Sequence, residues 1–160
     1  MELRSSPATG KVRCWFLRAS GSALAVTGFL KLVLVTQKLR LLDYGDPVFA
    51  VVTIRTALVA AAVLELGVAV VLFSRRWERA GPAILAWLCA VFSAYRIGLL
   101  IVGYHGPCWC LGGPFKWVGL SAGATDRVAL GILAFMSLGS VSVLTSGLIQ
   151  RMLARPAEPA

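Results

Sequence analysis

Four apolar blocks organise this sequence, at about residues 14–36, 53–73, 82–103 and 127–149. Crossing about 30 Å of hydrocarbon at 1.5 Å per residue takes roughly 20 residues, so each block is long enough to span a bilayer as a helix. Without water, every peptide group in a span must be bonded internally, which isolated blocks achieve only as helices. Composition points the same way. Of the 160 residues, 58% are hydrophobic and 14% charged, with a mean hydropathy of +0.80. A soluble chain this short cannot bury that much apolar surface. The expected fold is all-α: a single four-helix transmembrane bundle over 14–149, with a cytoplasmic tail at 1–13 and a disordered tail at 150–160.

The net charge of +9 does not indicate a nucleic-acid partner. Its basic residues are not interleaved with aromatics; they sit mostly in short clusters between the apolar blocks, where they set topology and meet acidic lipid headgroups. The first block is broken by Arg18 and by Ser20-Gly21-Ser22, too poor a run for a cleaved signal, so it reads as an uncleaved signal-anchor. Eight Lys or Arg lie in the N-terminal tail, the second connection and the C-terminal tail. The first and third connections hold at most five. That bias predicts both termini inside and the third connection outside, in a multi-pass protein of the cell (inner) membrane whose first partner is the lipid bilayer.

Local signals mark the ends of the blocks. Asp46-Pro47 is a turn and helix-start signal, and Pro82 suits a first helical turn. Thr125 and Asp126 are good N-caps for the fourth block. Gly131, Ser137, Gly139, Ser140, Ser142 and Gly147 suit close helix packing in lipid.

The chemistry-bearing stretch is His105-Gly106-Pro107-Cys108-Trp109-Cys110-Leu111-Gly112-Gly113-Pro114, between the third and fourth blocks. Two cysteines in three residues, bracketed by Pro and Gly and facing an oxidising compartment, read first as a disulfide or exchange-active pair. A bond between residues two apart closes a very small ring, and such strain eases reduction, as thiol exchange requires. His105 would lower a thiolate pKa or shuttle a proton. Two other readings stand beside this one: inert cysteines in a turn, and an incomplete copper or zinc clamp. Cys14 and Cys89 read as ordinary buried or interfacial thiols. Trp109, Phe115 and Trp117 read as interfacial anchors.

Charged residues inside the blocks form a second group. Lys31 lies about one and a half turns from the end of its helix, Glu65 is central, and Arg96, preceded by Tyr95, lies late in the third block. Ionised groups at depth are costly unless paired or hydrated, so they face the bundle interior. Glu65 and Arg96 differ in depth by about 7 Å, a gap a long arginine spans. They are expected to form an ion pair joining helices two and three. Alternatively, Lys31, Glu65, Tyr95 and Arg96 line a polar pocket beneath the cysteine segment, suited to favouring a thiolate or holding a quinone headgroup.

These positions come in a particular order: Gly28-Phe29-Leu30-Lys31, Asp46-Pro47, Glu65-Leu66, Tyr95-Arg96 and Cys108-Trp109-Cys110-Leu111-Gly112. In that order the chain resembles the MauE branch of the DoxX-like family, small four-helix redox-associated membrane proteins, over roughly residues 18–149. The resemblance implies thiol-disulfide exchange or maturation of an extracytoplasmic redox enzyme, as in methylamine utilisation. Cys108 and Cys110 would be the exchange pair, and an extracytoplasmic thiol protein or redox enzyme the client. It also implies an alternative, a non-enzymatic membrane subunit of a quinone-linked redox complex; a metal-handling protein is the remaining one. The chain lacks the Cys-x-x-Cys spacing and the second cysteine pair of quinone-coupled thiol oxidases, and quinone is the only cofactor in view.

Overall fold

The computed structural model describes residues 7–37, 40–77, 80–104 and 122–153. Among these residues there are four long α-helices and no strand: α1 (Pro7–Thr36), α2 (Ile54–Phe73), α3 (Gly81–Ile101) and α4 (Ala122–Leu153). All four are long and apolar enough to cross a membrane. Large apolar side chains lie exposed along every helix, among them Phe29, Val70, Leu100 and Leu138. Such surfaces suit contact with lipid chains, and the chain reads as a multi-pass membrane protein.

The outer two helices exceed their expected bounds. Pro7 opens α1 well before Cys14, because proline suits a first turn and Lys11 and Arg13 are tolerated once a helix projects beyond the apolar zone. α4 begins at Ala122 and runs on through 150–153, part of the tail expected to be disordered. Asp126 is therefore not its N-cap but lies within its second turn. The inner helices match their blocks closely. Thr53 N-caps α2, its hydroxyl accepting from the Thr56 N–H, and Pro82 sits in the first turn of α3.

Packing is pairwise. α1 lies along α2 and α3 along α4, while the two hairpins touch each other far less. Gly28 allows the closest approach within the first pair: a Cβ there would sit 3.3 Å from the Ala62 carbonyl oxygen and 3.0 Å from Leu66. The hairpins meet at the end carrying the short link between α2 and α3, here called the closed end. There Phe16, Leu17, Leu72, Leu85, Leu88 and Met136 form a buried core drawn from all four helices.

At the opposite, open end, residues 40–53 form an ordered cap between α1 and α2. Gly45 and Thr53 make an antiparallel bridge, with Asp46 N–H donating to Val52 O at 2.8 Å and Ile54 N–H to Tyr44 O at 3.0 Å. Leu42 is fully buried against Leu34 and Leu58. Arg55 ties the cap to α1, donating to Asp43 at 3.0 Å and to the Val35 carbonyl at 2.8 Å. Val48 leans on Gly98 of α3, where a Cβ would come within 3.1 Å. α3 itself ends in a Schellman closure. Gly103, at φ 69°, takes the left-handed turn while the Tyr104 N–H reaches Leu99 O and the Gly103 N–H reaches Leu100 O.

Candidate functional site

The buried charge lies in the open half of the bundle. Lys31 Nζ donates to Glu65 Oε1 at 2.5 Å, and Thr27 Oγ1 donates to Glu65 Oε2 at 3.2 Å, so both carboxylate oxygens are engaged. Lys31 and Glu65 are each only 3% exposed. Thr27 and Lys31 stand one turn apart on the same face of α1. Backbone direction explains how a shallow lysine meets a mid-span glutamate about 9 Å deeper. Side chains tilt toward the N-terminus of their own helix, so Lys31 on ascending α1 leans inward and Glu65 on descending α2 leans outward. The ammonium also lies 5.7 Å from the centroid of the Phe92 ring, a cation–π contact.

This arrangement corrects the expected Glu65–Arg96 pair. α2 packs along α1 rather than α3, so Glu65 takes its cation from α1. Arg96 instead bonds Asp126 at 2.7 Å, joining α3 to α4. Tyr95 donates its hydroxyl to Asp46 Oδ2 at 2.7 Å. The other oxygen of Asp46 accepts the Val48 and Phe49 N–H groups, both at 2.9 Å, so the Asp-Pro signal marks a turn that aims a buried carboxylate at α3. The Phe49 and Tyr95 rings stack with centroids 6.1 Å apart.

Lys31, Glu65, Tyr95 and Arg96 nevertheless line one space. A cavity of about 760 Å³ lies between the two hairpins, walled by apolar side chains of all four helices and by the 46–52 part of the connection. Few polar groups reach it besides these four and Asp46. Tyr104 lines it as well, at the C-terminal exit of α3. The expected catalytic residues His105, Cys108 and Cys110, like Trp109, Phe115 and Trp117, lie outside the described residues. Cys89 is buried in the closed-end core and Cys14 is half-buried, and both are free thiols.

Sequence reasoning missed three participants. Thr27 carried a readable signal, since its spacing of four from Lys31 puts both on one helical face. Asp46 was legible as a turn former but not as the acceptor for Tyr95, a contact made across 49 positions. Asp126 was read as a cap because its partner lies on another helix.

Comparison of the chain with known protein families, with curated proteins and with solved structures gave no match.

Proposed function

We propose that this chain is an inner-membrane protein of the MauE/DoxX type that assists thiol-disulfide exchange in an extracytoplasmic redox enzyme or its thioredoxin-like partner. The basic bias sets both termini in the cytoplasm and the open end of the bundle outside. Cys108 and Cys110 then work in an oxidising compartment. A partner thiolate attacks their disulfide, forming a mixed disulfide and releasing one cysteine as thiolate. A second partner thiol resolves the mixed bond, so the partner leaves oxidised and the pair is left as two thiols. Run in reverse against a second partner's disulfide, the same two steps regenerate it, and that second partner leaves as two thiols, having taken up the two electrons.

The observation that carries this reading is the Pro- and Gly-bounded Cys-x-Cys itself, which follows the exit of α3 by a few residues. It is supported by the cavity, with its few converging polar groups, reaching Tyr104, four residues before Cys108. Cys110→Ala and Cys108→Ala variants are expected to trap mixed disulfides that run as adducts on non-reducing gels. No adduct from either variant, together with a pair inert to mild reductant, would overturn the proposal. A second reading, a non-enzymatic subunit that docks a redox enzyme, is favoured by the fully paired buried charges. In that case Cys108→Ser with Cys110→Ser leaves the cellular phenotype intact.

A further inference from the structure

The cavity between the hairpins has its own chemistry, independent of the cysteines. We propose that it binds an uncharged, membrane-dissolved molecule whose carbonyl oxygen accepts a hydrogen bond from the Lys31 ammonium. Four observations carry this. The first is shape: a space of about 760 Å³ with apolar walls and a few converging polar groups has the size and character of a small-molecule site.

The second is access. Phe49 and Thr56 line the cavity and are exposed at the open end, and Ala60 and Leu64 of α2 and Val91 and Ala94 of α3 do the same within the spans, so a mouth lies between these two helices. Both flanks of that mouth belong to membrane-spanning segments, so the ligand arrives through the hydrocarbon. The third is an unfilled donor. An ammonium carries three N–H groups, and among the described residues Lys31 commits one, to Glu65. Its other neighbour there is the face of Phe92, which attracts the charge without accepting a directed bond. An oxygen acceptor from the cavity completes the shell.

The fourth is charge balance. Lys31 and Arg96 are offset by Glu65 and Asp126, and Asp46 adds a further carboxylate already bonded to Tyr95 and two N–H groups. Among the described residues the site has no positive excess, so a carboxylate or phosphate head would lose its hydration there without compensation. A neutral carbonyl loses far less.

Carbonyl heads of this kind occur as glycerolipid esters and as quinone rings, and the probes separate them. The purified chain in detergent is offered dioctanoylglycerol, decylubiquinone, dodecane and decanoate, with binding read by equilibrium partition and thermal shift. One of the two carbonyl probes is expected to bind about tenfold more tightly than dodecane or decanoate, and its identity names the source. Ala94→Phe narrows the mouth without touching an ion pair. It is expected to weaken that probe about tenfold while leaving the unliganded melting temperature in place. Equal binding of dodecane, preference for decanoate, failure of both carbonyl probes, or indifference to Ala94→Phe would each overturn the proposal. Binding is expected to survive Cys108→Ser with Cys110→Ser, so failure here and failure of the disulfide chemistry are read separately.

Discussion

The same four helices build two very different ends. At the closed end, Phe16 fills the place a Cβ on Gly139 would take and its ring lies 5.6 Å from that of Phe135, while the buried charged residues among those described, Lys31, Asp46 and Glu65, all lie elsewhere. At the open end the hairpins part around a cavity, and the charged residues lining it, Lys31, Asp46, Glu65 and Arg96, are each held by a partner. Cohesion at the first end comes from shape, as in any close-packed interior. At the second it comes from matched charge and hydrogen bonding in a setting where water cannot substitute. The lesson is a division of labour: one end fixes how the hairpins meet, and that leaves the other free to stay hollow.

Breaking the ion pair should show the largest effect. Lys31→Met strands Glu65 at mid-span and is expected to cost about 3–5 kcal/mol, read as a drop in melting temperature in detergent. Glu65→Leu should cost less, because Lys31 lies near enough to the end of α1 to swing toward the interface. The double variant should recover much of the loss, and a double variant worse than Lys31→Met would contradict the pairing. Next comes the closed end. Gly139→Val must displace the Phe16 ring and is expected to cost about 1–3 kcal/mol, while the same change at Gly131, where space is open, should cost far less.

Smaller effects refine the comparison at the open end. Tyr95→Phe removes the donor to Asp46 and is expected to cost about 1–2 kcal/mol, with faster hydrogen exchange at Val48 and Phe49 as the turn loosens. Asp43→Asn weakens an exposed contact to Arg55 and should shift stability by less than about 0.5 kcal/mol. An Asp43 effect as large as that of Tyr95 would mean the cap is held by its surface rather than by its buried carboxylate.

The helices were legible because a bilayer-length apolar run admits one solution, and the boundaries of α2 and α3 followed from the extent of those runs, with Pro82 marking the start of α3. The start of α1 and both ends of α4 were not, since their projecting turns carry ordinary polar residues that hydropathy reads as tails. Which charges lie deep was also legible, because Lys31, Glu65 and Arg96 interrupt apolar runs. Their pairing was not. Glu65 and Arg96 lie within an arginine's reach in depth, but depth carries no information on lateral neighbours, and α2 turned its carboxylate toward α1. The cavity was anticipated only as a set of lining residues. Its volume depends on how far two hairpins stand apart, which no local pattern encodes.

The ring of Phe16 against Gly139 has a reach beyond its own neighbourhood. It lies thirteen residues along α4 from Asp126, about 20 Å of stiff helix. Two rigid arms pinched at one extremity behave like a clothes peg: a small change of thickness at the pinch is magnified at the jaws. An aromatic ring far from the Arg96–Asp126 pair therefore sets how wide the jaws stand.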